Sequence, residues 1–178
     1  MRTDDFWQLI DRAREGGGGE PDAVAARAVA LLAERDPEDI VGYAHHQQRV
    51  LAASYRVDLW GAAYLINGGA SDDGFENFRG WLMTQGRAVF ARAVVEPDSL
   101  AELPRVRSAA LSGEEFECGD MLVVPWDAYR KATATELPAD RDPVPVPDLN
   151  DFWDFDDEEE ARRRLPRLAA LFVEPPEE

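Results

Sequence analysis

The chain has 178 residues, 45% of them hydrophobic and 10% aromatic, so it is long and apolar enough to bury a core and is not a disordered segment. Asp and Glu number 36 against 19 Lys and Arg, a formal charge of -17. This excludes unaided binding to DNA, RNA or an anionic membrane, where affinity comes largely from Lys and Arg on phosphates.

In chain order, an amphipathic helix is expected from about Asp4 to Glu15, with Phe6, Ile10 and Ala13 on one face and Trp7 and Leu9 beside it. Gly16 to Gly19 break it in a loop expected to be flexible and exposed. Pro21 suits the first position of a second helix, whose buried side is Val24, Ala28, Leu31 and Leu32. Asp36-Pro37 opens a third, with Asp36 as its cap, and Ile40, Val41, Ala44 and Leu51 carry its apolar face onward. Leu59 to Ile66 is apolar nearly all round, the pattern of a buried helix. Asn67-Gly68-Gly69 ends it, because asparagine and glycine tolerate the left-handed backbone of a helix C-terminus. Ser71 caps the next helix, and Asp72 and Asp73 complement the positive end of its dipole. Phe75, Phe78 and Leu82 recur at spacings of three and four as an inward stripe, with Trp81 beside it.

Beyond this corner a helix is expected from Arg87 to Val95, with Val89, Phe90 and Val94 inward and Pro97 as its stop. Asp98-Ser99 restarts a short turn, and Leu103 to Gly113 reads as loop with at most one helical turn. Proline suits a helix only in its first turn, which places a helix from Pro125 to about Thr133, with Trp126 and Tyr129 packing. The four apolar residues before it, Met121 to Val124, read equally as a short strand. Four prolines between Pro138 and Pro147 exclude regular structure and predict an extended, surface-hugging segment over 138–150. Phe152, Trp153 and Phe155 are costly to leave in water and anchor the tail on the helical body. Glu158, Glu159 and Glu160 stand four residues before Arg162, Arg163 and Arg164, a favourable arrangement on a helix surface. Leu168, Leu171 and Phe172 complete the core, and 174–178 is expected to fray. The whole reads as one mainly α domain over 1–178, an irregular bundle of about six to eight helices, with a Pro-rich segment and an aromatic, acidic tail packed on it.

The stretch LWGAAYLINGG, then SDDGF and FRGWL..QGR, with Tyr55 and Asp58 just before them, resembles the central signature of a bacterial family catalogued as domain of unknown function 4240 (DUF4240). Further points of similarity are Phe6-Trp7, Ala128-Tyr129, Glu136-Leu137-Pro138 and Leu165-Pro166-Arg167-Leu168, so the resemblance runs over most of the chain. It implies a small, mainly helical bacterial domain and transfers no catalytic residues.

Three constellations carry candidate chemistry. Asp58, Asp72, Asp73 and Glu76, with Asn67, offer the oxygen ligands that a hard cation prefers, and such a metal activates water on a phosphate ester. The alternative is structural: Asp72 and Asp73 as dipole partners, Glu76 as a solvated residue, and no calcium-loop spacing. His45 and His46, the only histidines, point about a hundred degrees apart on a helix and do not share one metal easily. His45 with Asp58 is the catalytic base candidate, against packing or surface roles for both histidines. Trp60, Tyr64, Arg79 and Trp81 suit either a ligand pocket or a core, with Arg79 in sequence reach of Asp72 and Glu76. Cys118 is the only cysteine, so no intramolecular disulfide forms, and its acidic neighbours raise rather than lower a thiol pKa.

No phosphate loop, dinucleotide-binding glycine pattern, nucleophile elbow or zinc cluster is present in the sequence, and no cofactor is expected. No secretory signal is read at the start, where Asp4 and Asp5 precede any apolar run, and the expected location is cytoplasmic. The expected function is a non-enzymatic interaction module that binds a basic protein, with imitation of DNA as a special case. A metal-assisted hydrolase at Asp58, Asp72, Asp73 and Glu76, and a small-ligand protein with its pocket near Trp60, Tyr64 and Trp81, are the alternatives. Oligomeric state is not legible in the sequence.

Overall fold

The computed structural model describes residues 1–16, 18–140 and 142–174. Among them the order is α1 (Thr3–Gly16), α2 (Pro21–Ala33), α3 (Pro37–Ser54), α4 (Val57–Asn67), α5 (Asp72–Thr84), α6 (Arg87–Val95), a 3-10 turn (Pro97–Glu102), α7 (Pro104–Ser112), α8 (Gly119–Thr133), α9 (Glu158–Arg164) and α10 (Pro166–Phe172). The molecule is mainly helical as expected, with eleven helical elements among the described residues in place of six to eight.

Two stretches are more helical than the sequence predicts. Leu103 to Gly113 is not loop: Pro104 takes the first position of α7, Val106 and Ala109 are buried on its inner side, and Gly113 closes it at φ 68. Met121 to Val124 is neither strand nor lead-in, because α8 runs through it from Gly119. Pro125 therefore sits inside a helix, where it removes one backbone donor. Met121, Val124, Pro125 and Ala128 are all buried, and that burial outweighs the lost bond. Three residues before the proline, the Leu122 carbonyl accepts the buried Gln47 amide at 2.6 Å, which ties α8 to α3.

The corner forms as the sequence predicts. α4 buries Val57, Leu59, Ala62, Ala63 and Ile66, and Gly68 closes it in the left-handed region at φ 67. Ser71 Oγ accepts from Gly74 N at 3.1 Å and starts α5, which buries Phe75, Phe78, Trp81, Leu82 and Met83. Asp36, by contrast, caps α3 only through its backbone: its carbonyl accepts from Asp39 and Ile40, and its side chain makes no cap hydrogen bond. Val41 lies on the outer side of α3 and is exposed.

One apolar cluster runs from Phe6 in α1 to Leu168 in α10. α2 lies against α1 and α8, and α8 also covers α3 and α5. The two last helices pack on each other, and α10 also packs on α4 and on the 3-10 turn. Asp98 in that turn is buried and accepts from the backbone N–H groups of Arg167 and Leu168 at 3.0 and 2.9 Å, so a remote carboxylate caps α10. The described part of 138–150 carries no regular structure, in keeping with its prolines. Trp153 behind it is buried, Phe155 is half-buried, and Phe152 is exposed although it meets Trp60 edge-on. In α9, Arg162 pairs with Glu158 and Arg164 with Glu160 as the spacing predicts, whereas Arg163 also turns to Glu160. Of the tail expected to fray, 175–178 lies outside the described residues. No helix among the described residues is long and apolar enough to cross a membrane.

Candidate functional site

The corner concentrates side chains of mixed character. Trp60 stacks on Phe75 with ring centroids 5.1 Å apart and planes 10° from parallel, and its indole donates to the Ala70 carbonyl at 2.9 Å. Tyr55, at the end of α3, meets both rings, with centroids 6.0 Å from Phe75 and 6.0 Å from Trp60. Arg79 completes this group, its guanidinium carbon 4.7 Å from the Phe75 ring centre and 5.1 Å from that of Tyr55. The sequence places Arg79 four residues after Phe75, on the apolar face of α5, and that is where it folds: it is only 6% exposed.

The ion pairs that spacing allows do not form. Arg79 Nη1 donates to the Leu51 carbonyl at 2.8 Å, its Nε is buried without a partner, and neither Asp72 nor Glu76 lies within ion-pair distance among the described residues. Burial is the main influence on the guanidinium and draws its pKa down, while Glu76, Tyr55 and Asp72 pull it back up.

The other candidates are committed elsewhere. Asp58 does not meet His45; its Oδ1 accepts from the Trp153 indole at 3.1 Å and from Arg164 Nη1 at 3.2 Å, pinning the tail to α4. His45 Nδ1 is 3.1 Å from an Asp140 oxygen, and His46 Nε2 is 2.8 Å from the Thr3 hydroxyl. Tyr64 donates to Asp156 at 2.6 Å. Asn67 holds the backbone of Phe116 from both sides, donating to its carbonyl at 3.2 Å and accepting from its N–H at 2.9 Å. Trp81 is core, 1% exposed and stacked on Phe116 at 4.6 Å, so the pocket expected beside it is filled. Asp72 accepts the Tyr55 hydroxyl at 3.2 Å and, like Asp73 and Glu76, stands exposed on the first turns of α5. Among the described residues no three His, Cys, Asp or Glu side chains converge as a metal would require, which leaves the hydrolase reading without its minimum geometry.

Two clefts open on this face, with Ala52 and Tyr55 contributing to both. One, of about 430 Å³, is lined by Gln48, Leu51, Tyr55, Asp72, Glu76 and Arg79, together with Pro143, Val144 and Val146. The other, of about 540 Å³, runs from Arg56, Val57 and Asp58 to the strap at Pro147–Asp151. Gln48, Leu51 and the Pro143–Val146 wall are site residues that sequence reasoning did not single out. The readable signal was Arg79, a charge on an otherwise apolar helix face.

No curated protein and no solved structure matches the chain. A family model described as a protein of unknown function matches residues 1–131, a range that contains the whole corner and stops short of Glu136–Pro138 and Leu165–Leu168. With that match over most of its length, including the Tyr55–Gly86 signature, the chain belongs to the DUF4240 family.

Proposed function

We propose that the protein is a non-catalytic interaction module that receives a basic segment of another protein at the corner. The observation that carries this reading is the exposed acidic start of α5 beside a cleft. Some carboxylates elsewhere are interleaved with arginines: Arg167 pairs with Glu96, Asp98 and Glu102, Arg164 with Asp58, Asp151 and Glu160, and Arg105 with Glu20 and Glu114. At the start of α5, Asp72, Asp73 and Glu76 are exposed and take part in no ion pair among the described residues. They keep their charge for a partner, and a basic segment gains there what a solvated arginine surface would not supply. The same interleaving weighs against imitation of DNA, which needs an unbroken acidic face.

The test is affinity capture from a lysate at low and at high salt, with the unmodified protein and with the triple variant D72N/D73N/E76Q as baits. Recovery of one basic protein that falls with salt and is lost with the triple variant supports the reading. Equal recovery by both baits refutes it.

A further inference from the structure

We propose that the cleft between the end of α3, the start of α5 and the Pro143–Val146 segment binds a small zwitterion, a free α-amino acid or a molecule that presents the same carboxylate and ammonium pair. This does not rest on the interaction reading, since the isolated chain carries the whole site.

The argument begins with Arg79. Arg79 is 6% exposed and among the described residues no carboxylate lies within ion-pair distance of it, so one carbonyl and the more distant charges of Glu76 and Asp72 offset its desolvation only in part. Its Nη1 is used by the Leu51 carbonyl and its Nε is sealed in the interior. The Nη2 edge makes no hydrogen bond among the described residues and is not sealed, and Arg79 lines the 430 Å³ cleft. Phe75 and Tyr55 hold the plane of the group from its sides, so that edge is presented in a fixed orientation. A planar fork held this way is suited to a carboxylate.

The rim of the same cleft carries the opposite charge. Asp72 and Glu76 line it, and the Tyr55 hydroxyl donates to Asp72 and fixes that carboxylate. Two carboxylates and one guanidinium repel a phosphate or a plain dicarboxylate, but they match a ligand whose acid end reaches the floor and whose ammonium end stays at the rim. Leu51, Ala52, Val144 and Val146 supply an apolar wall for the remainder. The volume falls in the range of ordinary small-ligand sites.

The experiment is titration calorimetry of the full chain with each common free L-α-amino acid, and with acetate, inorganic phosphate and methylammonium as single-charge probes. At least one amino acid should bind saturably, the single-charge probes at least about a hundredfold more weakly, and D72N/E76Q should weaken the amino acid by about tenfold, equivalent to about 1.4 kcal/mol. Those two side chains are exposed, so this variant keeps its fold. Arg79→Lys, which keeps the charge and loses the fork, should abolish saturation. The proposal is overturned if no amino acid saturates up to about 10 mM. It is also overturned if acetate or phosphate binds as tightly as any amino acid, or if D72N/E76Q binds like the unmodified protein.

Discussion

Gly80→Ala tests the packing that holds the corner in place. Gly80 lies inside α5, where replacing glycine with alanine normally stabilises by about 1 kcal/mol. Here a methyl group would overlap the Cys118 carbonyl oxygen and sit 3.2 Å from its carbon and 3.3 Å from Leu122 Cγ. The obstacle is backbone, which cannot swing aside, and it is held by the bond from Cys118 N to the Asn77 carbonyl at 3.0 Å. Restoring an ordinary carbon–oxygen separation requires α5 and the start of α8 to part by about 1 Å, which loosens a core contact along its length. Overpacking of this kind costs up to about 3 kcal/mol, so the net effect is a loss of about 2 kcal/mol. For a chain of this size that lowers Tm by about 4 to 8 °C. Gly74→Ala is the internal control: in the same helix its methyl group would meet Ser71 Oγ at 3.4 Å and Glu117 Oε1 at 3.7 Å, both ordinary contacts, and should raise stability by about 0.5 kcal/mol. Urea unfolding followed by tryptophan fluorescence reads both. A Gly80→Ala protein as stable as the unmodified one would show that the two helices do not approach as closely as described.

Gly68→Val should destabilise by about 1 to 3 kcal/mol, from backbone strain alone, because the position has φ 67 and nothing lies within 4 Å of an added Cβ; an unchanged Tm would contradict the left-handed turn. Burial, opposed by a hydrogen bond from the Met121 backbone and aided by the charges of Asp22 and Asp120, pushes the Cys118 thiol up to about 11, so a thiol reagent at about pH 8 should label the native protein slowly and the urea-unfolded protein fast. Equal rates would place the thiol in solvent. His46 has its pKa drawn below the ordinary 6.5, first by burial and then by Arg49, the N-terminus and His45, with Asp5 opposing. The unfolded chain therefore takes up this proton first as pH falls, so the contribution of His46 is present above the ordinary value and is lost as pH drops through it. The urea midpoint should fall from about pH 7.5 to about pH 5.5 by more in the unmodified protein than in His46→Gln, and parallel curves would refute the assignment.

Much of the helical framework was legible because it is written in local chemistry. Ser71, Pro21 and Gly68 act within a few residues of where they stand, and the stripes Phe6–Ile10–Ala13 and Phe75–Phe78–Leu82 need only a helical period to be recognised. The misses were places where a distant partner overrode the local rule. Pro125 is tolerated inside α8 because its helix is buried against α2, α3 and α5, and none of those contacts is visible in residues 119–133. Asp98 reads as a turn residue and is in fact the cap of a helix that begins at Pro166. The site divided in the same way. Asp72, Glu76 and Arg79 could be picked out as one group on α5, but only the fold shows that Arg79 leaves its helix neighbours for the Leu51 carbonyl and that the opposite wall comes from Pro143–Val146.

The relation between the family-matched stretch and the rest of the chain is itself informative. Gly61 lies well inside residues 1–131, in the middle of α4, where glycine weakens a helix. A methyl group there would overlap the indole of Trp153 and come within 3.1 and 3.2 Å of its Cη2 and Cε2. Asp58, one turn earlier on the same helix, accepts that indole's N–H and an arginine from α9. So the helix at the centre of the matched region is shaped on one side for a segment that lies outside the match. The tail is thereby part of the corner's architecture, and the strap running from it, through Pro147 and back to Pro143, is held where it walls both clefts. The cleft that Arg79 lines is accordingly a joint product of Pro143, Val144 and Val146 and of the helices that carry the signature.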